Sequence, residues 1–376
     1  MENNNNEEYT GPSVYDDPSL QHLNKKNGKK KLIWSLIFVL IAAVSIYTIV
    51  STSRDFTFAE FCVFIQNSSP SYLICAIICM MGFIVFEGLA ISFLCRMFNC
   101  KHRIIDGYFY STADIYFSAI TPSATGGQPA CAFFMMKDGI PGVITTVVLL
   151  VNLVMYTLSI IAVGIFTFVI RPNIFLYFNT ASRILIIVGC VLQLGLAFIL
   201  FTLLKYGKIL KFICTKALKI LAKLHLIKHL DAKLLRLDMA MENYQMYYGM
   251  IRKRIKVIIP AFFFNFIQRS LQITVTMFTY LATGGSPSQA LDIWAMQSYT
   301  VLGSNCMPIP GAMGISDYLL IDSLGEIMSE QETINLELLS RTISFYSCII
   351  LCGIAIIIKY IMLKRKQRKT TYDRNF

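Results

Sequence analysis

The sequence predicts an all-α polytopic membrane protein, built as inverted repeats with two re-entrant helical hairpins. Three observations predict it. Hydrophobic residues make up 55% of the chain and charged residues only 15%, with a mean hydropathy of +0.58. A soluble domain carries more charge and shorter apolar runs. Several apolar runs reach the roughly 20 residues needed to cross a bilayer. Two further apolar stretches are broken by proline and glycine, at Thr121-Pro122-Ser123-Ala124-Thr125-Gly126-Gly127-Gln128-Pro129 and at Asn305-Cys306-Met307-Pro308-Ile309-Pro310-Gly311-Ala312-Met313-Gly314. Neither stretch sustains a helical ladder. Non-helical backbone at membrane depth is tolerated only when buried in protein or lining a wet cavity. A matching pair of interrupted segments points to the pathway of a transported molecule.

The elements follow in order. Residues 1–30 are polar, Asn/Glu-rich and without an apolar signal-peptide core, so a disordered cytoplasmic segment is expected. Lys25, Lys26, Lys29, Lys30 and Lys31 precede the apolar run 32–50, which places the N-terminus inside. The loop 51–70, with Arg54, Asp55 and Glu60, suits the outside. A second span, 72–95, returns to Arg96, Lys101, His102 and Arg103.

Three apolar stretches, 104–120, 143–170 and 184–204, then precede the insert 205–256, which holds thirteen Lys and Arg. Both ends of this stretch are cytoplasmic by charge, so the number of crossings is even. The reading is that 104–136 is a hairpin entering from inside, turning at Gly126-Gly127 and returning to Lys137-Asp138-Gly139. The insert repeats Leu, Ile and Lys, as in Lys208-Ile209-Leu210-Lys211, which predicts basic amphipathic helices on the membrane surface. His225 and His229 share a helix face there but lack the glutamate of a zinc motif.

A fifth span runs 256–282, followed by the turn Thr283-Gly284-Gly285-Ser286-Pro287. The stretch 290–324 holds the second break between two short apolar pieces, 290–301 and 315–324. An outer loop with Asp322, Glu326, Glu330, Glu332 and Glu337 has no Lys or Arg until Arg341. The last span, 342–363, ends at Lys364, Arg365, Lys366, Arg368 and Lys369, before a cytoplasmic tail 369–376. The same parity makes 290–324 a hairpin from the outer face. The transmembrane domain 31–368 therefore has six full spans and two hairpins. If the hairpin arms cross fully, the count becomes ten.

The net charge of +12 lies beside apolar spans, which fits anionic lipid and not nucleic acid. The eleven cysteines fall mostly within apolar segments, among them Cys75, Cys79, Cys190, Cys348 and Cys352, and read as small hydrophobes. The Gly-Gly is not followed by Gly-Lys-Ser/Thr, so it is no nucleotide loop. Backbone N–H groups where a half-helix starts can hold a lipid phosphate, helped by Ser123, Thr125 and Gln128. The plainer reading is that these groups only satisfy the turn. Pro122, Gly126, Gly127 and Pro129, with Asn305, Pro308, Pro310, Gly311 and Gly314, complete the candidate pathway.

Glu87 and Arg269 are charges within spans, each unfavourable by roughly 2.5–3.5 kcal/mol at the centre of a helix. Glu87 is assigned to a cationic headgroup or a coupling proton, and Arg269 to a lipid phosphate. The competing reading pairs them with each other, or with Asp114 and Asp317, for structure alone. Asn152, Gln193, Asn265 and Gln268 are read as interhelical hydrogen bonds. No Ser/His/Asp or Cys/His set appears, so no catalytic residue and no metal are assigned. An enzyme acting on a headgroup would need Glu87, Asp114 and Asp317 to converge.

The motif Pro122–Pro129, followed by Lys137-Asp138-Gly139-Ile140, resembles the lysylphosphatidylglycerol synthase transmembrane-region family, also called flippase-like. The stretch Pro308–Asp317 resembles its Pro-x-Pro-Gly-Gly-x-Gly pattern with a following acid. Here Ala312 stands for the second glycine and Asp317 for an acid that is usually glutamate. The resemblance covers about 31–368. It implies a flippase for a charged-headgroup, aminoacyl-phosphatidylglycerol-like phospholipid in the bacterial cytoplasmic membrane, contributing to resistance against cationic antimicrobial peptides. Bifunctional members also carry a soluble domain that attaches the amino acid. The chain stops at Phe376, so lipid movement without aminoacyl transfer is expected, and the lack of a nucleotide-binding motif implies no cofactor and movement that is downhill or ion-coupled. The alternatives are a flippase for a polyprenyl-linked carrier, or a non-catalytic partner of a separate lipid-modifying synthase or glycosyltransferase. The expected partners are anionic or aminoacylated lipids, such an enzyme, and a second copy of the chain.

Overall fold

The computed structural model describes residues 63–374, apart from positions 64, 99, 101, 102, 122, 123, 224–229, 254, 308 and 313. The expected N-terminal segment, the run 32–50 and the loop with Arg54, Asp55 and Glu60 lie outside the described residues. So do Lys101, His102, Pro122, Ser123, His225, His229 and Pro308.

Every regular element among the described residues is helical. The first group comprises α1 (Pro70–Met97), α2 (Ile104–Ile120), α3 (Gly127–Lys137), α4 (Gly142–Ile170) and α5 (Thr180–Lys205). The basic insert forms α6 (Gly207–Lys223) and α7 (Leu230–Lys253). The second group comprises α8 (Ile255–Ala282), α9 (Ala290–Ser304), α10 (Ile315–Leu324), α11 (Glu330–Arg341) and α12 (Cys348–Arg374). A π-helical turn, Thr342–Ser347, joins the last two into one rod.

Among the described residues, four helices are long and apolar enough to cross a membrane: α1, α4, α5 and the rod Glu330–Leu363. They correspond to four of the six expected spans. The expected span 256–282 is also helical, as the 28-residue α8. It is not among the four, because Asn265, Gln268, Arg269 and Gln272 interrupt its apolar sequence. Asn265, Gln268 and Arg269 are all buried. The polar stripe of α8 therefore faces protein, where α1 and α4 pack against it.

Two boundaries differ from expectation. The first break is shorter, since Gly127, Gln128 and Pro129 form the opening turn of α3. Proline is tolerated there because the first N–H groups of a helix have no intrahelical partner. The acidic stretch expected as an outer loop is helical from Glu330, and Thr333 to Arg341 are buried. A capping box starts this helix, with the Ser329 hydroxyl accepting from the N–H of Glu332 at 3.4 Å. Its charges at Glu337 and Arg341 are one helical turn apart and meet partners inside the protein.

Three apolar clusters hold the helices. One joins α1 to α4 through Ile91, Tyr110, Met135 and Val148. A second packs α4 against α9 and α10 through Ile160, Met296 and Leu319. The third joins α1, α8 and α11 through Ile84, Val275 and Leu339. Gly88 and Gly107 let α1 and α2 meet backbone to backbone, since a methyl on either would overlap the other's main chain. The remaining faces of α5 and α12 expose Val191, Phe198, Ile350 and Ile357. Such apolar outer faces belong in lipid.

In the insert, Tyr244 ties α7 to the end of α5. Its hydroxyl donates towards the carbonyls of Leu203 and Leu204, at 3.4 and 3.3 Å. Burial, with a smaller contribution from Tyr248, pushes its phenol up to about 12. It therefore stays a donor at neutral pH. The Lys211–Asp238 pair between α6 and α7 is exposed at 2.9 Å and adds little.

Candidate functional site

Both breaks lead into one buried polar network. Glu87 on α1 accepts from Gln268 Nε2 on α8 at 3.0 Å. Its carboxyl neighbours that of Asp114 on α2, across helices tied by the Ser111 hydroxyl, which donates to the Ile84 carbonyl at 2.6 Å. Asp114 accepts from Gln128 Nε2 at 2.8 Å and from Ser118 Oγ at 3.3 Å. Gln128 lies in the first turn of α3, just past the first break.

Arg269, the neighbour of Gln268, donates to the Tyr156 hydroxyl on α4 and to Gln272. Its guanidinium lies 4.6 Å from the Tyr156 ring centroid and 6.0 Å from that of Phe83. Tyr156 donates to Asn305 Oδ1 at 3.1 Å. Asn305 opens the second break, and its amide donates to Gln193 Oε1 on α5 at 3.2 Å. Cys306 reaches the same oxygen at 2.6 Å. Side chains of α2, α1, α8 and α4, with the chain step from Gln268 to Arg269, thus lead from residue 128 to residue 305, and Gln193 adds α5. Asn152 and Asn265 bridge α4 and α8 separately, at 3.0 Å, as interhelical hydrogen bonding predicts.

The first break is held from within. Thr121 Oγ1 accepts from the N–H of Gly126 at 2.8 Å and donates to the Phe117 carbonyl at 2.6 Å. Thr125 and Pro129 lie exposed beside it. A side chain on Gly127 would overlap the Asp114 carboxylate, the Ser118 hydroxyl and the Asp114 main-chain carbonyl. Glycine there is what lets α3 start against α2.

Each break also contains one alanine in the left-handed region, Ala124 at φ 52° and Ala312 at φ 51°. In the second break Gly311 and Gly314 share that region, at 61° and 83°. Ala312 thus adopts a conformation that glycine takes without strain. Left-handed alanine costs about 1–2 kcal/mol. Glycine returns about 0.5–1 kcal/mol of that by loosening the unfolded chain. Ala312→Gly is therefore expected to stabilise the protein by up to about 1 kcal/mol, as a higher midpoint in thermal unfolding.

Asp317 stands apart from this network. It accepts from the N–H of Gly314 at 2.9 Å, capping α10. Arg341 Nη2 lies 2.5 Å from its Oδ1, close enough for an ion pair though not aligned as a hydrogen bond. Glu337 joins them, 3.9 Å from Arg341 Nε. The three acids Glu87, Asp114 and Asp317 therefore do not share one set of partners.

A third cluster was not singled out in the sequence. Lys359, in the middle of α12 and 4% exposed, lies 2.7 Å from Asp106 and 2.7 Å from Asp138. Asp106 is the third residue of α2 and Asp138 caps α3, so one ammonium joins the open ends of that helix pair. Tyr110 also donates to Asp138, at 2.9 Å. The pair α9–α10 is held in a parallel way. Asp292, the third residue of α9, meets Arg171 at 2.8 Å. Asp322, near the end of α10, accepts from the Asn179 amide at 2.6 Å. Each pair is thus held by residues of the other group of helices. The available signal was Lys359 itself, a lone cation within the apolar run 342–363.

Neither a curated protein nor a solved structure matches the chain. The family model described as the lysylphosphatidylglycerol synthase TM region matches residues 33–352. That span takes in α1 to α11, both breaks and the whole polar network. The chain belongs to the lysylphosphatidylglycerol synthase TM-region family.

Proposed function

We propose that this protein is a flippase that moves a charged-headgroup phospholipid, of the aminoacyl-phosphatidylglycerol kind, across the bacterial cytoplasmic membrane. The single observation that carries this reading is the buried network from Gln128 to Asn305. It puts polar side chains where only lipid tails and apolar helices would otherwise meet, and it touches both breaks. Arg269 is the contact for the lipid phosphate. The acyl tails stay against the apolar outer faces.

In this reading α2–α3 and α9–α10 are re-entrant hairpins of opposite orientation within an inverted repeat. Their lengths support it, since α3 has 11 residues and α10 has 10. At 1.5 Å per residue these arms reach only about 15–17 Å, half of the ~30 Å hydrocarbon core. The aspartates at the open ends are the gates, held by Lys359 on one side and by Arg171 and Asn179 on the other. The basic insert and both termini lie inside, where Lys and Arg accumulate. Export of a cationic lipid would lower the negative surface charge that attracts antimicrobial peptides.

The test is movement of fluorescent phosphatidylglycerol, lysyl-phosphatidylglycerol and phosphatidylethanolamine in proteoliposomes, read by dithionite quenching. Wild type is expected to move at least one of them. Arg269→Ala is expected to slow it tenfold or more, because a hydrogen bond to a charged group contributes about 1.5–3 kcal/mol, and Gly127→Leu is expected to slow it as well, because its side chain overlaps Asp114 and Ser118 where α3 starts. Folded wild type that moves none of the three lipids would sink this reading, and would favour a polyprenyl-linked carrier or an accessory role beside a separate synthase.

A further inference from the structure

The Glu87–Asp114 pair differs from the other acid pair in one respect. Asp317 and Glu337 have Arg341 beside them. Among the described residues, the donors hydrogen-bonded to Glu87 and Asp114 are neutral, namely Gln268, Gln128 and Ser118. Arg269 turns its terminal nitrogens to Tyr156 and Gln272 instead. Both carboxyls are more than nine-tenths buried, at 6% and 7% exposure. Two neighbouring buried carboxylates with no cation hydrogen-bonded to either would repel in a medium that screens poorly. One proton held between them relieves that repulsion, as in paired-acid sites generally.

A second observation points the same way. Gln268 is 1% exposed, and its Oε1 has no partner, although the Nε2 of the same amide donates to Glu87. A buried acceptor beside two acids is a place for a donor hydrogen. The other titratable groups facing the pair are Arg269 from α8, Tyr156 from α4, Cys131 from α3, and Cys348 and Cys352 from α12. Of these only the arginine is a permanent charge.

We propose that Glu87 and Asp114 form a proton-binding site that couples lipid movement to the transmembrane proton gradient. This rests on the lipid-moving reading and deepens it. Asp114, Ser118 and Gln128 belong to the α2–α3 hairpin, whereas Glu87 and Gln268 belong to the long helices beneath it. With the hairpin seated, one proton is shared by the two carboxyls. When the hairpin moves away, the O–H···O contact breaks and the exposed acid passes its proton to water on the open side. Two carboxylates and one hydronium result. Reseating takes up one proton from water. The separated carboxylates are free to receive a cationic headgroup, so lipid and proton occupy the site in turn.

The experiment has two arms. Infrared spectra of the purified protein read the protonated-carboxyl C=O stretch at neutral pH. Glu87→Gln and Asp114→Asn are each expected to remove the same band, because the proton belongs to the pair. Spectra of both variants that match wild type would overturn the site. In proteoliposomes, an imposed pH gradient is expected to shift the steady-state transbilayer lipid ratio about tenfold per pH unit for one proton per lipid. The direction should reverse with the gradient, and Glu87→Gln should abolish the response. Wild-type lipid movement that ignores the pH gradient, or follows a sodium gradient instead, would overturn the coupling and leave the flippase standing. A band lost in both variants, with no lipid moved by wild type, would keep the proton site and sink the flippase.

Discussion

Lys359→Ala is expected to destabilise the protein by about 3–5 kcal/mol, the usual consequence of removing one partner from a buried charge cluster. The ammonium lies 2.7 Å from both Asp106 and Asp138. The two aspartate side chains keep only 19% and 13% of their exposure. Without the lysine, two carboxylates remain in a pocket walled by the Phe109 and Tyr110 rings, which now lie 5.3 and 5.9 Å from the ammonium. The compensating variant separates this effect from lost packing. Lys359→Met combined with Asp106→Asn and Asp138→Asn removes these three charges together, and is expected to recover most of the stability. Thermal unfolding of the purified protein in detergent reads both. A single variant as stable as wild type would mean that the cluster is open to water.

Arg341→Ala is expected to have an effect of the same size, about 3–5 kcal/mol, by the same mechanism at α10 and α11. Asp317 would keep the N–H of Gly314, but Glu337 would lose its only cation among the described residues. Arg341→Lys is expected to recover little. The guanidinium fork addresses Asp317 through Nη2 and Ser316 through Nη1 at the same time, whereas a lysine offers one point charge. Retained stability in Arg341→Lys, measured beside Arg341→Ala, would show that charge alone suffices and that the fork geometry is dispensable.

These two arginine and lysine clusters mark where sequence reading stopped short. Arg341 and Glu337 looked like residues of an outer loop, because an acidic stretch before a basic residue reads as a solvated connection. The capping box at Ser329 and Glu332 was the local signal that a helix starts there, and it lies in plain view in the sequence. Lys359 was passed over inside an apolar span. Nothing near it in the chain names its partners, since Asp106 is 253 residues away. Gln268 and Gln193 do make the interhelical hydrogen bonds that the sequence suggests, but only the structure names their partners, Glu87 and Asn305.

The helical class, the apolar spans 72–95, 143–170, 184–204 and 342–363, and the two breaks are all determined by sequence alone, whereas the structure carries the last span back to Glu330. The motifs at Gly126-Gly127 and Pro310-Gly311 also carried the family. These features are local. Apolar length, proline, glycine and charge act within a few residues of where they stand. Only the tertiary structure decided which buried charges meet. It put Glu87 against Asp114 and not against Arg269, gave Asp317 to Arg341, and set Lys359 across the open end of α2 and α3. The reason is physical. A buried charge is stabilised by whatever lies within a few ångströms, and helices hundreds of residues apart decide that only when they pack.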